Sequence, residues 1–300
     1  MQGRFGALFL SLYFYTKLCY ILLTTAKRFR VLPFKSYILH KLFQKIKINN
    51  MRNKQIILMA IFLVVAQFTL AQTKEEIIAN YIENTGGAEA WNNLQGLKMT
   101  AKVSQGGMEI PIEMIQLKDG RQMTKISFQG KEIKQGVFDG KKLWSHNFMT
   151  MEAEESDAEA TANFKLDAND FPNPFLDYEK KGYTVELMGK ETIQGAETFK
   201  LKLVQEPKMV EGQEEESVSY YFFDTENFVP IAMQTEIKSG PAKGVIAETS
   251  FSDYQEVEGL YFPFSMSQGE KDKPGQPITF SSIEVNPTFE DSDFAFPDKK

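Results

Sequence analysis

The chain lacks cysteine after residue 71, since its single cysteine is Cys19. Disulfide bonds, thiolate metal sites and a cysteine nucleophile are therefore excluded for residues 72–300. This part also has only one histidine, His146, so a catalytic triad or a histidine-rich metal site is difficult to assemble. Because His146 lies beside Trp144 in a strand pattern, a surface or interface histidine is the expected state.

Sequence motifs of common catalytic classes are absent as well. No Gly-rich phosphate loop joins a strand to a helix, and no Gly-x-Ser-x-Gly elbow occurs. Carboxylate pairs remain available for acid–base chemistry. The 40 Asp and Glu residues make chance pairs common, however, so a single pair is poor evidence. We therefore predict a protein that is not an enzyme, with no catalytic residue, no cofactor and no metal site.

Acidic residues are absent from the first 71 positions, and this changes the charge of the remainder. Nine of the 34 Lys and Arg residues lie in 1–50, and two more are Arg52 and Lys54, so 23 remain in 72–300. All 40 Asp and Glu residues lie in 72–300, which therefore has a formal charge of −17. Nucleic acids and anionic membrane surfaces are disfavoured as partners because both require clustered cations. A positively charged partner surface would be attracted.

Residues 51–71 have the order of a secretory signal peptide. A basic start, Met51-Arg-Asn-Lys54, precedes the apolar run 56–65, and small residues at Thr69 and Ala71 suit a cleavage site. The run is too short to span a bilayer comfortably, so we do not expect a stable transmembrane protein. We predict cleavage after Ala71 and a periplasmic mature protein.

Residues 1–50 allow two interpretations. The run 5–23 could form a second membrane anchor, although Lys17 interrupts it and a signal peptide behind it would be redundant. Alternatively, Met51 is the true start and 1–50 is an over-long reading frame, disordered or absent. We favour the second interpretation because targeting segments belong at the N-terminus. The expected organisation is then 51–71 as signal peptide and 72–300 as one domain.

The mature part begins with a helical pattern over 73–94. Thr73 suits the N-cap position, with acidic residues in the first turn. An apolar stripe follows at Ile77, Ile78, Tyr81 and Ile82. Gly86-Gly87 is expected to break the helix before Trp91.

From residue 97 the hydrophobic period changes to two, which is typical of strands with one buried face. Glycine-containing turns separate the segments at 106–107, 119–120, 129–130 and 139–140, which predicts an antiparallel meander. Strand patterns resume at 183 and continue to 285. We predict a mainly β (α+β) fold, in which about eleven strands form a single curved antiparallel sheet, or half-barrel, with a helical lid.

The segment 149–178 interrupts the strand pattern. It carries an acidic run, comprising Glu152, Glu154, Glu155, Asp157 and Glu159, and then the sequence Phe171-Pro-Asn-Pro-Phe175. We expect a weak helix and an irregular loop over the sheet. The acidic run is typical of a solvated face, with a calcium site as the alternative.

The sheet presents more apolar surface than two helices can easily cover. Its inner-face side chains either pack on the helices or leave a cavity for an acyl chain, because the mouths of curved sheets are common ligand sites. Methionine and aromatic side chains of this kind adapt to variable ligands. The predicted cavity-lining residues are Met99, Val103, Ile110, Ile112, Met114, Trp144, Phe262 and Phe264. Trp91 and the segment 149–178 are the predicted lid.

Three hairpins resemble those of the outer-membrane lipoprotein-sorting (LolA/LolB-like) superfamily. They are VFDGKKLW at 137–144, YYFFDTENFVPI at 220–231 and FSDYQEVEGLYFPF at 251–264. In order and spacing the resemblance covers most of 73–296 and is nearest to secreted members from Bacteroidetes-type bacteria. Two features differ from typical carriers. One is the acidic 149–178 insert, and the other is that no residue is identified as the cavity arginine of such carriers, because Arg121, the only arginine of the mature part, lies at a hairpin.

The resemblance implies a half-barrel with helices as a lid and a hydrophobic cavity that carries lipid, without a catalytic residue. We therefore expect a periplasmic binding or carrier protein for lipid or lipoprotein acyl chains. One alternative is a non-enzymatic interaction or envelope-sensing module, whose acidic surface contacts an envelope protein partner. An enzyme with a carboxylate pair ranks last, since it requires two acids with raised pKa values in a polar cleft.

Overall fold

The computed structural model describes residues 72–105 and 107–297, and our interpretations of 1–71 lie outside them. Its main element is a single antiparallel sheet of thirteen strands. The strands are β1 (Gly96–Gln105), β2 (Met108–Leu117), β3 (Gln122–Phe128), β4 (Lys131–Phe138), β5 (Leu143–His146), β6 (Ala153–Glu155), β7 (Thr184–Ile193), β8 (Ala196–Val210), β9 (Gln213–Asp224), β10 (Pro230–Glu236), β11 (Ile246–Val257), β12 (Leu260–Glu270) and β13 (Gln276–Val285).

The sheet is a meander in which the first and last strands along the chain lie side by side in the middle of the sheet. Every strand pairs with its neighbours in sequence except that β6 and β7 do not pair with each other. These two strands form the edges of the sheet, and β1 also pairs with β13. The sheet is curved and does not close. This confirms the predicted half-barrel, with thirteen strands in place of about eleven. The strand that the sequence pattern did not indicate is β6, which is short and acidic.

Three helices accompany the sheet in the described residues: α1 (Lys74–Asn84), α2 (Gly87–Asn93) and α3 (Ala158–Ala168). A capping box begins α1, because the Thr73 side chain accepts from the Glu76 backbone N–H and the Glu76 carboxylate accepts from the Thr73 N–H. The predicted N-cap is thus confirmed. Gly86 separates α1 from α2 with a φ of 124°, and a Cβ there would overlap the Gly259 carbonyl oxygen.

Strand pairing defines one continuous face of the sheet, which we call the inner face because α1 and α2 pack on it. Residues directly opposite each other on paired strands share a face. The pairs Leu201–Tyr221 and Tyr221–Met233 follow this face across β8, β9 and β10. The pairs Ile278–Val103 and Val103–Ile110 follow it across β13, β1 and β2. The pairs Phe251–Met266 and Met266–Ile278 join the two sides.

The covered half of the inner face is the part beneath α1 and α2. Ile77, Ile78 and Tyr81 of α1 pack with Leu201, Leu203 and Phe223, all of them buried. Trp91 of α2 and Leu94 pack with a second group that includes Leu260 and Phe262. The helices therefore bury one part of the sheet deeply. Neither cluster contains a residue of β2 or β3.

Candidate functional site

A third apolar cluster on the inner face consists of strand residues only, and we call it the strand patch. No residue of the described helices belongs to it. The apolar inner face thus extends beyond the helices. A ligand bound there would replace few contacts between protein side chains. Its members are Met99, Ala101, Val103, Ile110, Ile112, Met114, Ile126, Phe264, Met266, Ile278 and Phe280.

The strand patch is unevenly buried. Ala101, Ile112, Ile278 and Phe280 form its floor and are at most 9% exposed. The remaining seven side chains, which include Val103, Ile110 and Met114, are only half-buried. Apolar side chains that a protein leaves half-exposed in one contiguous group are a frequent mark of a binding surface.

Six of the eight predicted cavity residues lie in the strand patch. They are Met99, Val103, Ile110, Ile112, Met114 and Phe264. Phe262 lies next to it on the same face, in the cluster beneath α2, where Met99 and Phe264 also pack. The structure therefore brings seven of the predicted residues together on one surface.

Trp144 is not part of this surface. It packs with Ile115, Met123 and Val137, on the opposite face from Ile112 and Met114, beneath the C-terminal segment around Phe294. Its indole N–H donates to the Phe294 carbonyl oxygen at 3.0 Å. The expectation that Trp144 lines an inner cavity conflicts with this position, because the side chain is buried in a separate outer cluster.

A β-bulge explains why Trp144 faces outward. The pairing of β3 with β4 shifts by one residue, and Gly136 has a φ of 55° at that point. One extra residue reverses the alternation of side chains beyond it. Phe138 consequently turns to the inner face, whereas Val137 and its cross-strand partner Trp144 turn outward.

A cavity of about 350 Å³ adjoins the strand patch and extends beneath the helices and the loop after α3. This volume lies within the range of small-molecule sites. Trp91, Met99 and Phe262 line it, together with Tyr81, Tyr221, Phe251 and Tyr254. Polar side chains also line it, namely Gln116, Arg121, Gln122, Asp167, Asp170 and Asn173. The cavity is thus an aromatic enclosure with a polar side.

Trp91, the predicted lid residue, is held in place by its neighbours. Its indole N–H donates to the Thr85 hydroxyl at 3.1 Å, and that hydroxyl donates to the Tyr81 carbonyl oxygen at 2.7 Å. Its ring meets Phe262 edge-on, with 5.4 Å between centroids. Trp91 therefore forms a fixed wall of the cavity, and any moving lid has to come from other residues.

Helix α3 contacts strands on both sides of the unclosed sheet. On one side Phe164 packs edge-on against Phe138, at 5.6 Å between centroids. On the other side the Asn163 amide exchanges two hydrogen bonds with the Met209 backbone, and the Glu159 carboxylate accepts from the Glu211 backbone N–H at 3.0 Å. No side chain of α3 is fully buried. The helix is thus attached mainly by exposed polar contacts.

The acidic run before and within α3 has structural contacts of its own. Asp157 caps α3 through the Ala160 backbone N–H at 2.7 Å. Glu155 pairs with Lys142, and Glu154 accepts from Asn147. Within the part of the chain that the structure describes, no group of three or more His, Asp or Glu residues is arranged to hold a metal ion.

The loop after α3 contributes Asp170 and Asn173 to the polar side of the cavity, and the sequence analysis did not identify either residue. The Asp170 carboxylate accepts from the Tyr183 hydroxyl at 2.9 Å and from the Gln205 amide at 2.6 Å. Burial raises the pKa of Asp170, and these two hydrogen bonds oppose the rise. The prolines around Asn173 in Phe171-Pro-Asn-Pro-Phe175 were the available signal, because paired prolines fix a loop conformation.

No protein-family model matches the chain, and no curated protein does either. Solved structures do. A LolA superfamily protein from Nitrosomonas europaea matches with 11% identity and a TM-score of 0.46, over 75% of this chain and 98% of that one. A DUF1329 family protein from Desulfovibrio piger matches with 14% identity and a TM-score of 0.46, over 75% and 98%.

None of the helices in the described residues is both long enough and apolar enough to cross a membrane.

Proposed function

We propose that residues 72–300 form a periplasmic carrier or binding protein for lipids or lipoprotein acyl chains, of the type that sorts outer-membrane lipoproteins. The observation that carries this proposal is the strand patch, an apolar surface on the inner face of a half-barrel that contains no helix residue. The adjoining cavity supports it, because Met99 belongs both to the strand patch and to the lining of the cavity beneath α2.

Burial of methylene groups supplies the driving force for such binding. Each buried methylene contributes roughly 0.8 kcal/mol, so a twelve-carbon chain would gain roughly 10 kcal/mol before ordering costs. Four methionines or aromatic side chains of the patch, Met99, Met114, Met266 and Phe264, can adjust to chains of different shape. Capture is then easy, and release to an acceptor becomes the demanding step.

Release requires a part of the protein that opens at low cost, and α3 fits that role. It has no fully buried side chain, and its polar contacts with β8 are the two hydrogen bonds of Asn163 and the ion pair of Asp167 with Lys208. Each such bond contributes roughly 1 kcal/mol. The predicted lid is therefore assigned to the segment 149–178, with α3 as its movable element and Trp91 as the fixed wall behind it.

The proposed periplasmic location depends on export of residues 72–300. The signal-peptide pattern of 51–71 would direct residues 72–300 across the inner membrane, and residues 1–50 would be absent if translation begins at Met51. N-terminal sequencing of the protein recovered from the periplasm tests both points. Gln72 at the N-terminus is the expected result, and a retained 1–71 segment would contradict it.

The decisive experiment is native mass spectrometry of residues 72–300, exported with a periplasmic signal and purified without detergent. We expect a bound species of lipid mass. Phe264→Glu places a charge in the strand patch and should abolish it. Ser265→Glu adds the same charge to the next residue of β12, which points to the opposite face, and should retain the lipid. A folded protein that is empty and ignores added lipid would refute the proposal.

An interaction module remains the second candidate, and the long β8–β9 hairpin favours it. Exposed acids cluster near its turn, including Glu206, Glu211, Glu214 and Glu216. Such a cluster attracts a basic partner surface, and its attraction weakens as salt rises. Binding of an envelope protein that is lost at high salt, together with no bound lipid, would favour this function over the carrier.

A further inference from the structure

Four tyrosines line the cavity, and they differ in whether the protein engages their hydroxyl groups. The Tyr254 hydroxyl donates to a backbone carbonyl oxygen at 2.7 Å, and the Tyr261 hydroxyl donates to a carboxylate oxygen at 3.2 Å. The Tyr81 and Tyr221 hydroxyls form no hydrogen bond with any residue that the structure describes, and burial raises the pKa of both. Two neutral hydroxyl groups of the cavity lining therefore have no protein partner among these residues.

Tyr81 of α1 and Tyr221 of β9 are neighbours, because their rings contact the same two phenylalanines. The centroid of the Tyr81 ring lies 6.3 Å from that of Phe175 and 5.4 Å from that of Phe223. The corresponding distances for Tyr221 are 4.9 and 6.4 Å. Burial is the main cause of the raised pKa of Tyr221, and the nearby Asp170 and Tyr81 raise it further. The two hydroxyls thus belong to one polar site on the cavity wall.

These hydroxyls are shielded from bulk solvent but open to the cavity. Tyr81 is 8% exposed, and Tyr221 is half-buried. Among the described residues, Asn173 Nδ2 is the one side-chain nitrogen or oxygen that is both inaccessible and without a hydrogen-bond partner. The unpaired hydroxyls of the two tyrosines therefore retain accessible surface, and the cavity is the space that both residues line. Leaving buried donors unpaired is unfavourable, so proteins rarely do it without a functional reason.

The surroundings of the two hydroxyls indicate the kind of acceptor that they would bind. Asp170 does not fill this role, since its carboxylate already accepts from the Tyr183 hydroxyl at 2.9 Å and from the Gln205 amide at 2.6 Å. Much of the remaining lining is aromatic, as at Phe251 and Phe262, which suits an acceptor that is carried directly on an apolar chain. The carbonyl oxygen of an acyl group is such an acceptor, and its two lone pairs can accept from two hydroxyls.

We propose that the Tyr81 and Tyr221 hydroxyls donate hydrogen bonds to the carbonyl oxygen of an acyl group in the cavity, while its chain extends over the strand patch. This inference rests on the proposed lipid-binding function and specifies where the head of the acyl chain lies. Met99 lines the cavity and belongs to the strand patch, so the chain can pass from one to the other. The two tyrosines are then specificity-determining residues, which distinguish an acyl chain from an alkyl chain of equal length.

Two lysolipids that differ only in the carbonyl group test this inference. 1-Palmitoyl-lysophosphatidylcholine carries it, and the 1-hexadecyl ether analogue lacks it. Each is titrated below its micelle concentration into residues 72–300, and tryptophan fluorescence reports binding because Trp91 lines the same cavity. We expect the palmitoyl lipid to bind roughly tenfold more tightly, as the net gain from buried neutral hydrogen bonds allows. Sodium palmitate, titrated in the same way, distinguishes a free fatty acid from an ester-linked lipid as the better source of the carbonyl.

Phenylalanine variants assign the preference to the two hydroxyls. Tyr81→Phe and Tyr221→Phe each remove one hydroxyl and keep the ring, so the packing against Phe175 and Phe223 is retained. Each should weaken binding of the palmitoyl lipid about three- to tenfold and leave binding of the ether lipid unchanged. The double variant should bind both lipids equally. Tyr220→Phe is the matched control, because Tyr220 is the preceding residue of β9, points to the opposite face and should not affect the preference.

Infrared spectroscopy detects the proposed hydrogen bonds directly. Isotope-edited spectra of a palmitoyl lipid labelled at its ester carbonyl isolate the stretching band of that group. Because hydrogen bonding weakens the carbonyl bond, the band should lie at lower frequency for lipid bound to the unmodified protein than for lipid bound to the double variant. Equal frequencies in the two complexes would contradict the assignment.

The outcomes separate this inference from the proposed function. Equal binding of the two lysolipids to the unmodified protein would overturn the inference and leave the carrier function standing, since water would then satisfy the hydroxyls as well as a ligand does. A palmitoyl preference that persists in the double variant would also overturn it. Failure of both lysolipids and of palmitate to bind at all would refute the carrier function, on which the inference rests.

Discussion

The covered half of the inner face and the strand patch are built from the same kind of strand but differ in burial. Leu201, Leu203 and Phe223 are fully buried beneath α1. Val103, Ile110 and Met114 are half-buried, although they alternate along β1 and β2 in the same way. The difference lies in the cover, since the helices add packing to one half and none of their residues to the other.

Under the proposed carrier function, one sheet serves two purposes. Full burial of apolar side chains stabilises the fold, whereas partial burial keeps apolar surface available for a ligand at some cost in stability. Variants that shorten a side chain should therefore act mainly on stability in the covered half and mainly on lipid binding in the strand patch. Phenylalanines on both sides allow a matched comparison.

The largest effect is expected for Phe223→Ala in β9. Phe223 is 0% exposed and contacts Tyr81 and Phe175 edge-on, at 5.4 and 5.2 Å between centroids. Its truncation should lower the free energy of unfolding by about 3–5 kcal/mol, through lost burial and the cavity left behind. Urea unfolding monitored by circular dichroism measures it. A loss below about 1 kcal/mol would show that α1 does not cover this half tightly.

A smaller effect on stability is expected for Phe264→Ala in the strand patch. Phe264 is half-buried, so truncation should cost about 1–2 kcal/mol. The same change should weaken binding of a palmitoyl lipid at least tenfold, since about 1.4 kcal/mol of ligand contact corresponds to that factor. The comparison would break if Phe264→Ala cost as much stability as Phe223→Ala and left lipid binding unchanged.

Much of the sheet could be predicted because alternation is a local property. The period-two pattern in β1 and β2 and the glycine turns indicated hairpins, and seven of eight predicted inner residues share one surface. Trp144 could not be placed in this way, since the Gly136 bulge reverses the alternation and depends on pairing with β3. β6 was missed because its stability comes from pairing with β5, which Ala153–Glu155 does not reveal by composition.

The polar side of the cavity was beyond prediction for a different reason. Asp170 and Asn173 reach the cavity only through the packing of the loop after α3, in which Asp170 accepts a hydrogen bond from Gln205 of β8. Their spacing along the chain matches no motif, and Asn173 between two prolines suits an ordinary turn equally well. Local patterns report strands and turns, whereas a site assembled across the fold depends on tertiary contacts.

A local effect on stability is expected at α3, whose side chains are less buried than those of α1 and do not belong to the strand patch. Asn163→Ala removes two hydrogen bonds to the Met209 backbone and should destabilise the docked state of α3 by about 1–2 kcal/mol. Hydrogen exchange over 158–168 should then accelerate, while the midpoint of global unfolding changes little. Ser156→Ala, just before the helix, is a control that removes neither bond, and equal acceleration in both variants would contradict the assignment.

The smallest effect is a pH dependence that belongs to the cavity loop and not to the strand patch. Burial raises the pKa of Asp170 above its ordinary value of 3.8 in the folded state, so folded protein holds that proton to higher pH than unfolded protein does. Below pH 3.8 both states are protonated and the group contributes nothing. As pH rises through the raised pKa, the folded state loses stability relative to the unfolded state.

Asp170→Asn should remove this dependence. An asparagine oxygen can accept from the Tyr183 hydroxyl, and Gln205 can rotate its amide to accept from the new amino group, so the network of the loop is retained. Urea midpoints of the two proteins, measured in steps from pH 3.5 to pH 7, should diverge as pH rises, with the variant becoming relatively more stable. Asp272→Asn, at an exposed position in the turn between β12 and β13, serves as the control. Parallel curves for Asp170→Asn and the unmodified protein would show that burial of Asp170 does not set its pKa.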